Sequence, residues 1–206
     1  LTLIFALLLN EVKNVHFKKI VQTISYLPHF ISMVIVAGMV REILSTSGPI
    51  NNLITKLGGE AITFISLPEW FTTIFVTTGV WQGLGWGTIL YLAAMSGINT
   101  ELYEAAELDG ANKWQIFWNV TLPQLKPTTF FVIIMLTIAS FKVYDQMYMI
   151  TQGGPGNATM TLVYYIYNVA FVNTPKYGYA SAVSMVLFVL VLFVTIIQFK
   201  GSSNND

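Results

Sequence analysis

Cysteine is absent from this 206-residue chain, which rules out disulfides and thiolate metal sites and leaves its redox compartment open. Charge is almost as scarce. Only 10% of the residues are charged, and ten bases balance ten acids for a net charge of zero. That balance, with no basic run, offers no electrostatic case for nucleic acid. Histidine occurs only as His16 and His29, which are solitary and read as structural rather than as a metal site or proton relay.

What fills the chain instead is apolar: 54% hydrophobic residues and a mean hydropathy of +0.63, far too high for an ordinary soluble domain. The expected fold class is all-α integral membrane, a single domain over residues 1–206 built from several spans. Residues 1–9 are too few to cross a hydrocarbon layer, which takes roughly 20 helical residues, so they read as the end of a span. With no methionine at the start, the chain is expected to be truncated at its N-terminus. Full spans are expected at about 21–44, 71–95, 128–150 and 180–199, the last ending at Lys200 and a polar tail. The Gly/Ser/Pro/Asn-rich stretch 45–69 reads as an external loop with a short surface helix near Asn51 to Leu57. Gly79, Gly83, Gly85 and Gly87 give the second full span a surface suited to close helix contact. Alternation puts Lys13, Lys18, Lys19, Lys113, Lys126 and Lys200 inside, against Lys56 and Lys176 outside, in keeping with the positive-inside tendency.

Between two apolar runs lies the most informative stretch, Thr100 to Pro127, within a polar loop at 97–127. Thr100 is an expected N-cap, with Glu101 and Glu104 in or beside the first turn, where the helix dipole favours negative charge. Gly110 supplies the positive φ that ends such a helix, and Asn112 with Gln115 forms a capping box for a second one. Trp114, Phe117, Trp118 and Thr121 fall on one face of that second helix, expected against lipid or neighbouring helices. Pro123 and Pro127 are expected to break the chain before the next apolar run. The acids at 101, 104, 107 and 109 do not read as a catalytic or metal site, because they lie on an exposed helix with no histidine nearby.

The spacing of Glu104-Ala105-Ala106, Asp109-Gly110-Ala111 and Thr121-Leu122-Pro123 resembles the signature loop of the membrane subunits of binding-protein-dependent ABC importers. Three further segments resemble the carbohydrate branch of that family: Tyr26-Leu27-Pro28-His29-Phe30-Ile31-Ser32, the run from Thr151 to Thr159, and Tyr177-Gly178-Tyr179-Ala180-Ser181-Ala182. The resemblance implies a polytopic helical bundle of the ABC importer permease type in a bacterial inner membrane. It implies that Glu104, Ala105, Ala106, Asp109, Gly110, Leu122 and Pro123 couple the chain to an ATPase. The implied partners are a second, homologous permease subunit, two cytoplasmic ATPase subunits, an extracytoplasmic sugar-binding protein, a carbohydrate substrate and the lipid bilayer. No cofactor is implied, and ATP hydrolysis falls to the separate subunits. Gly153-Gly154-Pro155-Gly156 lacks the Lys-Ser/Thr of a phosphate loop and reads as a turn.

Lys142 and Asp145 stand in the expected third span. Ionisable groups there usually face a cavity, a partner or the protein interior. Phe141, Asp145 and Tyr148 share a helical face with Tyr144 adjacent, a mixture of aromatic surface and hydrogen-bonding carboxylate that suits a sugar. A purely structural role, with Lys142 and Asp145 solvated near the outer surface, fits the same residues. Trp81 and Trp86 either line the path or pack. At the level of function, an ABC permease for another solute, such as glycerol phosphate or a peptide, and an ion-coupled secondary transporter remain alternatives to a sugar importer.

Overall fold

The computed structural model describes residues 1–172 and 174–203, and all regular structure among them is helical. The principal helices are α1 (Thr2–Asn10), α2 (Val15–Tyr26), α3 (Met33–Ile43), α4 (Pro49–Lys56) and α5 (Pro68–Ser96). They are followed by α6 (Thr100–Leu108), α7 (Lys113–Gln124), α8 (Lys126–Phe141), α9 (Leu162–Val172) and α10 (Tyr177–Ser203). Local chemistry sets many of these boundaries. Asn14 caps α2 by accepting from the His16 and Phe17 amides at 3.0 and 3.1 Å, and Thr161 caps α9 by accepting from Tyr164 N–H. Pro49, Pro68 and Pro127 all occupy first turns, where a missing N–H leaves no bond unmade.

Two of the expected spans are not single helices. The run 21–44 divides: α2 tightens into a 3₁₀ turn at Leu27–Phe30 around Pro28, and Ser32, in extended backbone at ψ 147°, restarts the chain as α3. The run 128–150 begins two residues earlier, at Lys126, and its helix stops at Phe141. There the Val143 carbonyl accepts from Thr161 Oγ1 at 2.7 Å, so a side chain replaces the ladder bond and the chain can turn. Helical structure resumes at Asp145 and widens into a π-turn at Met147–Thr151. The runs 71–95 and 180–199 lie within continuous helices of 29 and 27 residues. At about 1.5 Å per residue either could cross a bilayer by length. Among the described residues, α10 over Tyr177–Ser202 is also apolar enough, whereas threonines, glycines and Gln82 dilute α5. Two bent pairs, α2 with α3 and α7 with α8, pass the same test if each counts as one span. The last residues of the polar tail, Asn204 to Asp206, lie outside the described residues.

The chain divides into two compact units. One comprises Leu1–Phe30 with Val80–Met135. Its core is Ala6, Tyr91, Met95, Ile98, Leu125 and Val132. Two of the expected glycine contacts are made here. A Cβ at Gly85 would overlap the Ser25 carbonyl and Tyr26 Cα, and one at Gly87 would press on the Thr2 side chain, while Gly83 faces open space.

The other unit comprises Ile31–Gly79 and the chain from Leu136 onward. Ala37, Phe64, Ile74 and Ile150 form its core. Asn51 is fully buried at the start of α4. It accepts from Ile62 N–H at 2.7 Å and donates to the Ser45 and Ile62 carbonyls, both at 2.8 Å, which closes the loop after α3. Along α10, Met185, Val186, Phe188, Val189 and Phe193 are all more than half exposed. Such a surface requires lipid or protein cover rather than water.

Candidate functional site: a helix–turn–helix and two aromatic clusters

The loop 97–127 folds as helix, turn, helix. Asn99, not Thr100, is the N-cap of α6: its side chain accepts from Glu101 N–H at 3.0 Å and also donates to the Glu101 carboxylate at 3.0 Å. Thr100 is the first helical residue. Asn outcompetes the following Thr because its short amide reaches both groups at once. The C-terminus closes as a Schellman motif, with Ala111 N–H bonded to Ala106 O, Gly110 N–H bonded to Glu107 O, and Gly110 at φ 74°. Asn112 and Gln115 then make the full capping box, at 3.0 and 2.8 Å.

Glu104, Ala105, Glu107, Asp109 and Gly110 are exposed, Ala106 is half-buried, and Leu108 is 90% exposed. A hydrophobic side chain so fully exposed beside acids on a capped helix has no partner within its own unit. Behind it, Tyr103 packs on the core that holds Leu125, and its hydroxyl lies 3.2 Å from Thr121 Oγ1. Leu122 and Pro123 are half-buried in the second arm. Pro123 does not break the chain. Just ahead of it the ladder widens into a π-turn over Phe117–Thr121, closed by Leu122 N–H to Phe117 O, and Pro123 sits in the turn that follows. The direction changes instead at the fully buried Leu125, where α7 and α8 meet at 57°.

The expected pathway residues are only partly brought together. The bend at 142–144 takes Phe141 out of helical register with Asp145 and Tyr148. Tyr144 and Tyr148 do meet, stacked with centroids 5.5 Å apart and planes 13° apart. Tyr164 and Tyr167 of α9 complete the cluster, at 5.0 Å for Tyr144 with Tyr167 and 5.9 Å for Tyr148 with Tyr164. Asp145 and Lys142 are exposed at its edge. The aromatic run from Tyr164 to Tyr167 was the available signal for the two residues of this cluster that the sequence reading missed.

A second cluster lies in the other unit. His29 stacks on Trp86 at 4.9 Å and 9°, and Tyr26 lies nearly parallel to both rings at about 6 Å. Phe30 meets Tyr26 edge-on at 4.8 Å. His29, Phe30 and Trp86 remain exposed, so flat aromatic surface is available to a ligand as well as to the fold. His29 thus has a packing role, and Trp86 presents part of its ring outward.

The family model described as binding-protein-dependent transport system inner membrane component matches residues 1–200. The lactose transport system permease protein LacF of Rhizobium radiobacter is 34% identical over 206 residues, covering 98% of this chain and 69% of that protein. The chain spans 58% and 57% of the lengths of two further relatives. Among solved structures, a bacterial ABC transporter involved in import of the acidic polysaccharide alginate superposes with a TM-score of 0.89 at 34% identity, over 98% of this chain and 71% of that one. A bacterial alginate ABC transporter in complex with an alginate pentasaccharide-bound periplasmic protein gives 0.87 at 34%, over 96% and 69%. With the helix–turn–helix motif in place and the match running through almost every residue, the chain belongs to the family of binding-protein-dependent transport system inner membrane components.

Proposed function

We propose that this chain is the membrane-spanning permease subunit of an ATP-driven importer of sugars or oligosaccharides. The observation that carries the reading is the capped helix α6, which holds Glu104, Ala105, Asp109 and the exposed Leu108 outward next to a glycine-closed turn. Such an element is built to dock in a partner. Its partner is a cytoplasmic ATPase subunit, one of two, and Glu104, Ala105, Ala106, Asp109, Gly110, Leu122 and Pro123 form the coupling element. A second, homologous permease completes the membrane unit, and an extracytoplasmic binding protein delivers the sugar. The lactose and alginate transporters similar to this chain support a saccharide substrate. The chain itself hydrolyses no ATP.

The membrane crossings follow the apolar runs: 1–9 in part, 21–44 as a bent pair of helices, 128–150 as a helix interrupted after Phe141, and 71–95 and 180–199 within continuous helices, with 97–127 in the cytoplasm. Tyr144, Asp145 and Tyr148 border the path together and Phe141 borders it from the end of α8 ahead of the bend, with ring faces for sugar C–H surfaces and the carboxylate for hydroxyls. ATP-driven closure of the ATPases draws the coupling helices together, the permeases open outward, and hydrolysis resets them. Reconstitution of the chain with its partner permease, ATPase and binding protein in vesicles tests this. Labelled oligosaccharide should accumulate only with ATP and binding protein, and uptake driven by an ion gradient without ATP would sink the reading.

A further inference from the structure

The same loop has a second outward surface, on α7, that the coupling role does not use. Trp114 is 72% exposed and Trp118 58% exposed, one helical turn apart. They flank the ring of Phe117, which meets each of them edge-on at 6.2 and 5.2 Å. The edge of the helix beside them is seated on its own unit: Phe117, Val120 and Thr121 are half-buried, and Thr121 meets Tyr103. The helix is therefore seated along the edge that holds Phe117 and Thr121, with the two neighbouring tryptophans left outside. Between Asn112 and Pro127 there are two lysines and no acid, and the only ion pair formed there among the described residues is a long, exposed contact of 3.8 Å from Lys113 to Glu11.

The chemistry of this surface identifies its occupant. Tryptophan has a large apolar body and one N–H donor, and it concentrates where hydrocarbon meets lipid headgroups. A helix with aromatic residues outward, Lys, Gln and Asn beside them and a net positive charge matches an element lying in the interface plane. Its continuation fits as well. Across the 57° elbow at Leu125 the chain enters α8, where Phe131, Ile133 and Met135 are about half exposed and demand an apolar surround. An element that joins a lipid-exposed helix at an angle, on the side where that helix starts, lies along the bilayer surface.

We propose that α7 is a membrane-surface helix, its Trp114 and Trp118 seated in the headgroup region of the cytoplasmic leaflet and its position fixed by the elbow at Leu125. The leaflet assignment rests on the permease reading above, while the contact itself rests on the exposure and chemistry of α7. The bilayer is thus the second support of the coupling loop, with the ATPase at α6 as the first.

Because the chain lacks cysteine, a single thiol can be placed by Trp118→Cys or Trp114→Cys, with Lys13→Cys as an exposed reference in the short polar connection. Each variant is labelled with an environment-sensitive fluorophore and assembled into the transporter in vesicles of phosphatidylethanolamine and phosphatidylglycerol. Lipids carrying a nitroxide near the headgroup should quench the label at 114 and 118 severalfold more than at 13, with or without the ATPase bound. Quenching at these two sites by an aqueous quencher only would overturn the proposal. So would protection from both quenchers that disappears when the ATPase is stripped, since that assigns the surface to a protein partner. Co-purification of the ATPase with the unlabelled chain reports separately on the coupling reading, so failure of one is distinguishable from failure of the other.

Discussion

The Gln198 side-chain amide donates to Thr137 Oγ1 at 2.8 Å, tying α10 to α8 across 61 residues of sequence. The other end of that amide, Oε1, is buried without a partner. The two ends carry opposite consequences. Gln198→Leu removes both the bond and the orphaned oxygen and should be close to neutral. Thr137→Val leaves the whole amide unpaired and should cost about 1–2 kcal/mol, the usual penalty for stranding a buried polar group. Denaturant titration of the purified chain in detergent checks the order. A larger loss for Gln198→Leu than for Thr137→Val contradicts the account.

Asn51 is fully buried and uses both its donor and its acceptor ends, so its amide must keep its orientation. Asn51→Asp keeps the shape but turns two donors into an oxygen facing the Ser45 and Ile62 carbonyls. The expected loss is about 2–3 kcal/mol, with each stranded carbonyl contributing roughly 1 kcal/mol or more. Thermal unfolding monitored by circular dichroism should show a clear drop in Tm, and an unchanged midpoint would refute the role.

Gly85 and Gly83 are two residues apart on α5 yet should respond oppositely. Alanine at 85 forces α2 away from the helix at Ser25, whereas alanine at 83 meets nothing within 4 Å. Gly83→Ala is therefore expected to stabilise the isolated chain by roughly 0.5–1 kcal/mol through helix propensity. Gly85→Ala should destabilise it. Equal shifts in the two variants would show that the close approach of α2 at Gly85 is not real.

Gly110 separates conformation from space. A Cβ there meets no neighbour, but φ is 74°. Gly110→Val should cost about 1–2 kcal/mol from the left-handed backbone alone, whereas Gly110→Asn should cost much less, because asparagine visits that region. In the proposed importer, the valine variant should lose ATPase on affinity purification and the asparagine variant should retain most of it. Full retention and uptake with valine would remove this turn from the coupling element.

Asp145 is exposed at the edge of the tyrosine cluster, and Tyr144 lies within it. Asp145→Asn should alter uptake kinetics, seen as a severalfold higher KM, without moving the Tm. Tyr144→Phe keeps the ring contacts and should cost less than Tyr144→Ala, which should lose about 0.5–1.5 kcal/mol per ring contact removed. Wild-type transport in both Asp145→Asn and Tyr144→Ala would exclude the cluster from the path.

The local signals read best where one residue type decides the outcome. Gly110, Asn112 and Gln115 fix their turn and cap through their own backbone preferences, and the structure forms both. Where two neighbours compete, the sequence misleads, as at Asn99 and Thr100. The breaks in the apolar runs were hidden because hydropathy counts residues and ignores tertiary partners. Thr161, 18 residues away from Val143, is what satisfies the chain at 142–144, and no local pattern announces it. Phe141 left the cluster for that reason. Tyr26, His29 and Trp86 likewise became neighbours only because Gly85 lets α2 approach α5 so closely.

The pairing of the Tyr103 hydroxyl with Thr121 Oγ1 at 3.2 Å, behind a two-residue turn, gives the loop 97–127 the mechanics of a bell crank. Gly110 and Ala111 are the pivot, and the Tyr103–Thr121 contact is a strut that keeps the angle between the arms from opening under load. In the proposed importer a push on α6 then reaches α8 as torque at Leu125, with little lost to slack. Weakening the strut, by Tyr103→Phe or Thr121→Val, would leave a machine that assembles and burns ATP at its normal rate while moving less sugar per ATP.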